Sequence, residues 1–263
     1  MVFSIPGLQL VIPGGDWTFA PEVPDEEDKV WRYVDLAKFT SLLQSSALCL
    51  PRADCLGDPL EGGWSNAAIE SFKSYAAEDY VEKALSVHRT LRKRSWVSCW
   101  HESADESEAL WRIYSKENQG VVIQTTVGRL TEIVPVTSSN RITGDDLGIR
   151  YIELSAVSRV HYVNYSLQGP HLNNTIGPLI CKRAAFAHEK EVRAIVQSLP
   201  LKNDAPEGDQ ILLKQLDLTR FLQKIFVDPL APDWFLNVVE NLVAQYRVDV
   251  PVVRSTLCST PVL

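Results

Sequence analysis

The stretch that most constrains the fold is residues 189–196, where polarity alternates one residue at a time. Glu189, Glu191, Arg193 and Ile195 fall on one side and Lys190, Val192, Ala194 and Val196 on the other, which is the period of a β-strand. The Val192/Ala194/Val196 side requires a core. The opposite side sets two carboxylates about 7 Å apart, at roughly 3.3 Å of rise per residue, with a guanidinium next in line. A mostly buried strand seldom carries such a row, because an unpaired buried charge costs on the order of several kcal/mol. Two arrangements satisfy the pattern: a solvated face with an Arg193–Glu191 ladder, or a cleft strand whose acids act on a ligand.

At 263 residues, with 45% apolar and 22% charged side chains, the chain has material for a substantial core. Its formal net charge of -7 argues against general affinity for nucleic-acid backbones and against anionic membranes. The basic run HRTLRKR (88–94) reads as the solvated end of a helix. Five cysteines without a CxxC spacing speak against a disulfide scaffold or a zinc ribbon, and free thiols suit a reducing compartment. The opening residues lack the basic region of a signal peptide, and no apolar run approaches the ~18 residues of a membrane span. A cytoplasmic location is expected.

Residues 1–29 read as an N-terminal arm, with short strands near 3–5 and 8–12, ending in the acidic linker PEVPDEEDK. Residues 30–263 read as a single α+β domain. Strands are predicted at 30–34, 47–53, 95–100, 121–125, 128–136, 150–154, 157–164, 225–228 and 248–253. Asp35 caps a helix bearing Leu36, Phe39, Leu42 and Leu43, and residues 66–93 are helical in two pieces. Ser103 to Glu106 form a capping box for a helix that runs to Tyr114 and faces Leu110, Ile113 and Tyr114 inward. A short helix is expected within 175–186, and another follows Pro232. Without regular βα alternation the fold class is α+β, a mixed, largely antiparallel sheet flanked by helices.

Four segments together resemble a bacterial family known only as domain-of-unknown-function family 2971: residues 31–62, 95–124, 160–165 and 182–196. The shared features are the RY strand at Arg32-Tyr33, the loop CLGDPLE that keeps Asp58, Pro59 and Glu61, the Trp111-x-x-Tyr114 helix and the late Glu189-x-Glu191-x-Arg193 strand. More distantly, the order Arg32, Ser98, Glu189-x-Glu191 resembles the R–S–E arrangement of ADP-ribosyltransferases. That resemblance implies an enzyme of bacterial defence or toxin type that uses NAD, with an unknown macromolecular acceptor. In it Arg32 would hold the NAD phosphates, since a guanidinium pairs bidentately with phosphate. Ser98 would brace the nicotinamide ribose, Glu191 would stabilise the cation formed as nicotinamide leaves, and Glu189 would orient the nucleophile. Tyr33, Trp111 or Tyr114 would stack on a ring of this dinucleotide. Arg32, Ser98, Glu189 and Glu191 are therefore expected to converge on one pocket, and loop 54–63 to be ordered with Glu61 reaching Arg32 or Arg193.

Two other readings use the same residues. Asp58, Glu61, Glu189 and Glu191 with Lys182 would suit a magnesium site for phosphodiester cleavage, although no metal is expected on the favoured reading. Alternatively Arg32, Asp58 and the 189–193 row form a structural network in a non-catalytic binding or immunity module. The histidines, with no HxxxH or HxH spacing, read as structural. An open cleft at these groups separates a site from a network.

Overall fold

The first strand of the main sheet, β1 (Lys29–Asp35), ends on the residue that starts the first helix. Asp35 accepts a hydrogen bond from the Lys38 backbone N–H at 2.7 Å and caps α1 (Leu36–Ser45). The computed structural model describes residues 2–5, 8–11, 21–136, 141–144, 150–169, 175–200 and 206–258. Seven further strands complete the sheet: β2 (Ser95–Glu102), β3 (Gly120–Thr126), β4 (Arg141–Gly144), β5 (Arg150–Arg159), β6 (Glu191–Pro200), β7 (Lys224–Val227) and β8 (Val252–Arg254). Their order is β8-β7-β3-β1-β2-β6-β5-β4. Every neighbouring pair is antiparallel except β7–β8. Helices α2 (Asn66–Lys73), α3 (Glu78–Arg92), α4 (Glu108–Tyr114), α5 (Val127–Ile133), α6 (Gly177–Ile180), α7 (Leu218–Phe221) and α8 (Asp233–Gln245) flank it, giving the α+β class. Among the described residues no helix is long and apolar enough to cross a membrane.

Alternation along the strands divides the core. Val30, Val34, Val121, Ile123, Val192, Ala194 and Val196 face Phe39 and Leu43 of α1 and Phe235, Val239 and Val243 of α8. Burying each such side chain contributes about 1.5–3 kcal/mol, so this larger cluster dominates the apolar stabilisation. On the other face Trp31, Tyr33, Val122 and Phe226 pack with Leu110 and Trp111 of α4, while Val97 and Ile195 pack with Leu179 and Ile180 of α6.

β1 and β2 are paired only at Val30–Glu102 and Trp31–His101. β1 stays paired with β3 along its whole length, and β2 with β6 from His101 back to Ser95. Beyond Trp31 and His101 the sheet is therefore open between its two halves.

Several expected elements differ. Residues 128–136 do not form a strand: Thr126 Oγ1 accepts from the Arg129 N–H at 3.3 Å, and Val127, Leu130 and Val134 bury at helical spacing in and just after α5. The helix at 108–114 starts after the proposed box, capped by Ser107, with Trp111 buried and Ile113 51% exposed. Residues 150–159 are one strand, followed by the short strand His161–Val163 that pairs in parallel with Cys181–Arg183. Ala47–Pro51 ends before residue 53 and pairs with Ile211–Gln215, a strand the sequence reading missed. The last strand is confined to Val252–Arg254. Val2–Ile5 and Leu8–Val11 pair antiparallel, and residues 12–20 lie outside the described residues. The acidic segment at 22–28 is tied to the sheet: Arg159 pairs with Glu22, Asp28 and Glu102 at 2.9, 3.2 and 2.6 Å.

Candidate active site in the split of the sheet

Where β1 and β2 part, a cleft of about 370 Å³ opens, walled by Arg32 and Tyr33 of β1 and by Cys99, Trp100 and His101 of β2. Residues 55–57, Leu110 and Tyr114 close its sides, and Glu189 and Glu191 also line it.

Arg32 alternates onto the larger core side with Val30 and Val34. Its guanidinium lies 5.7 Å from the Trp100 ring centre, and both Nη atoms donate to the Cys49 carbonyl at 3.3 Å. Among the described residues no carboxylate lies within ion-pairing distance of it, so Glu61 reaches Arg193 and not Arg32. Burial accordingly lowers its pKa. A half-buried guanidinium held by a carbonyl and an aromatic ring retains the capacity to bind an anion.

Tyr33 and Tyr114 form an aromatic ledge, with ring centres 6.4 Å apart and planes within 29°. The Tyr33 hydroxyl accepts from the Ser107 N–H at 2.7 Å, and burial pushes both phenols up to about 12. Trp111 does not join them. It is core, edge-on to Tyr33 at 5.3 Å, with its indole N–H donating to Glu106 at 2.9 Å.

The acids belong to a buried cluster. Glu189 is not on a strand as expected: it ends a 3-10 turn (Ala184–Glu189), Lys190 is left-handed at φ 41°, and β6 begins at Glu191. Lys182 draws the two carboxyls together, donating to Glu191 Oε1 at 2.7 Å and to Glu189, and standing 2.9 Å from Glu61. Arg193, 0% exposed, donates from Nε to Glu191 Oε2 at 2.5 Å and from Nη1 to the Leu179 carbonyl at 2.9 Å. Its Nη2 is 3.2 Å from Glu61 without hydrogen-bond alignment, a Coulombic contact. Asp58 lies outside the cleft lining and fixes the loop instead, accepting from the Leu60 N–H at 3.1 Å and from Arg183 Nε at 3.0 Å. That anchoring delivers Glu61 to Lys182 and Arg193.

Three carboxyls face two cations here, which leaves one surplus negative charge in a buried place. Glu189 resolves the excess by holding a proton. Burial first, and its hydrogen bond to Glu191 second, raise it to about 7 in spite of Lys182. Burial also pushes Glu191 up, but Arg193, the Glu189 hydrogen bond and Lys182 outweigh it and hold that carboxyl well below the usual carboxylate range. Lys182 stays charged because the glutamates outweigh its burial. Neighbouring carboxyls whose titrations are driven apart occur in acid–base sites and in structural ion-pair networks alike.

Ser98 is not part of this site. It is 0% exposed, on the larger core side of β2, and its hydroxyl accepts from the Trp100 indole N–H at 3.0 Å. Directly across β6 it faces Ala194, whereas Glu191 faces His101. His101 is the residue the sequence reading missed. It lines the cleft, and its Nδ1 is 2.7 Å from the Glu189 carbonyl. Its alternation with Val97 and Cys99 is the signal that the sequence offers. Compared with models of protein families, with curated proteins and with solved structures, the chain matches none of them.

Proposed function

We propose that this chain is an NAD-using enzyme of ADP-ribosyltransferase type, which breaks the bond between nicotinamide and its ribose. The observation that carries this reading is one cleft holding both Arg32, which among the described residues has no carboxylate partner, and the carboxyls of Glu189 and Glu191, drawn together by Lys182. Arg32 offers a fork for a phosphate, and the Tyr33–Tyr114 ledge offers a face for a planar base. As the bond breaks, its electron pair leaves with nicotinamide and positive charge develops on the ribose. The ionised Glu191 faces that charge, and above the titration of Glu189 the whole cluster carries a net negative charge. Lys182, Arg193 and Glu61 position the pair.

A second reading has its own support. Both oxygens of Glu191 are already occupied by cations, which favours a non-catalytic nucleotide-binding module with a structural network. The magnesium reading is the least favoured, because Lys182 Nζ holds the place between the carboxylates that a divalent cation would take.

Calorimetric titration with NAD, together with nicotinamide release, separates the readings. Wild-type protein is expected to bind NAD and release nicotinamide, and Arg32→Gln to bind about tenfold or more weaker, the equivalent of one charge-assisted hydrogen bond. Binding without release would leave the binding module standing, and neither binding nor release would sink the dinucleotide reading.

A further inference from the structure

We propose that His101 is the catalytic base of this cleft, taking the proton from the nucleophile that replaces nicotinamide; this rests on the NAD reading above. His101 sits where β1, β2 and β6 are last joined, paired with Trp31 on one side and Glu191 on the other, at the closed end of the split. A backbone carbonyl accepts hydrogen bonds and never donates them. The 2.7 Å contact to the Glu189 carbonyl therefore places the imidazole proton on Nδ1. Nε2 keeps its lone pair, and among the described residues no hydrogen-bonding partner takes it.

The other cleft groups are unsuited to the task. Both Glu191 oxygens are held by Lys182 and Arg193, and the Glu189 carboxyl is turned into the same cluster by Lys182. Burial raises the Cys99 thiol and the Tyr33 and Tyr114 phenols to about 12. The remaining thiol, Cys55, is turned to Asp54. Burial first and Lys190 also lower the His101 pKa, against the Glu189 carbonyl contact and Glu102, which raise it. The Tyr33 ring lies edge-on at 6.5 Å, and the lowered pKa favours the neutral imidazole.

The step balances. The ribose C–N bond breaks with its electron pair going to nicotinamide, a hydroxyl or water oxygen bonds to the same carbon, and its proton passes to His101 Nε2. The imidazolium then returns that proton to water.

The test compares wild type, His101→Asn and His101→Ala for nicotinamide release, NAD affinity and thermal stability. Asparagine keeps a donor toward the Glu189 carbonyl but has no base, so turnover should fall about 10²-fold or more while NAD affinity and Tm are retained. Added imidazole should restore part of the activity of His101→Ala. Undiminished turnover in His101→Asn overturns the assignment, as does a loss in His101→Ala that imidazole fails to rescue. A wild type that releases no nicotinamide removes the NAD reading itself and the base with it, an outcome distinct from an active His101→Asn protein.

Discussion

Arg32 and Glu191 project from opposite faces of the central sheet and nevertheless line the same cleft. In a closed sheet the backbone layer would separate them. Here β1 and β2 pair at only two positions, and past Trp31 and His101 the space between the strands connects the two faces. The strand order places this opening at the middle of the sheet, with four strands on each side. Each wall is thus braced by its own ladder: Arg32 by β3 through Ile123, and Glu191 by β2 through His101. Pre-organisation of this kind lets a cleft hold charged groups without collapsing around them.

Because Ser98 faces the core, Ser98→Ala should leave NAD binding and nicotinamide release intact. The Trp100 indole N–H would lose its acceptor, and an unpaired buried donor costs about 1–3 kcal/mol. Urea unfolding should therefore show a lower midpoint. Lost turnover at unchanged stability would return Ser98 to the site.

Glu189 makes a pH-dependent contribution whose sign can be stated. Its folded-state pKa, about 7, lies above the ordinary 4.5, so the native protein keeps a proton that the unfolded chain releases between those values. The stabilisation is complete below 4.5 and is lost as pH rises to about 7. Glu191, held low, behaves oppositely: its contribution is present above its ordinary value and is lost as pH falls. Melting curves across this window should show the Tm of Glu189→Gln gaining on wild type as pH rises. Parallel curves would mean that Glu189 holds no proton.

Much of the frame could be read locally. The β-branched and aromatic run of β1, the Asp35 cap and the apolar stripe of α1 each announce themselves within a few residues. The alternation of residues 191–196 marks a strand with a core on the Val192 side, as the structure has it. The split was not legible, since it depends on which strands stop pairing, and that is decided by contacts distant in the chain. Glu189 was misplaced for a local reason: Lys190 adopts a left-handed conformation that its side chain gives no warning of. Ser98 was misassigned although its parity with Trp96 and Trp100 was readable. The missing knowledge was that those tryptophans face the larger core. His101 went unmarked because its role comes from the Glu189 carbonyl, a backbone group that no side-chain motif records.

Glu191→Gln discriminates most sharply between catalysis and architecture, but only alongside a charge-balanced partner. Alone it deprives Lys182 and Arg193 of a shared carboxylate, and breaking a buried pair costs about 3–5 kcal/mol. Part of that loss should be recovered as Glu189 ionises, since the neighbouring acid that helped to raise its pKa is gone. A drop in Tm is therefore expected on either reading and decides nothing. The double variant Lys182→Met with Glu191→Gln removes one charge of each sign and leaves Arg193 with Glu61 and the Leu179 carbonyl. With one proton on Glu189 its cluster is neutral, as ionised Glu189 makes the cluster of Glu191→Gln neutral, so neither variant leaves a net buried charge. If Glu191 stabilises the developing ribosyl cation, nicotinamide release by both variants should fall about 10²-fold below wild type, while NAD still raises their Tm. A group that acts mainly in the transition state contributes little to binding the ground state, so affinity and turnover should separate. Wild-type turnover in either variant would assign Glu191 to the framework alone.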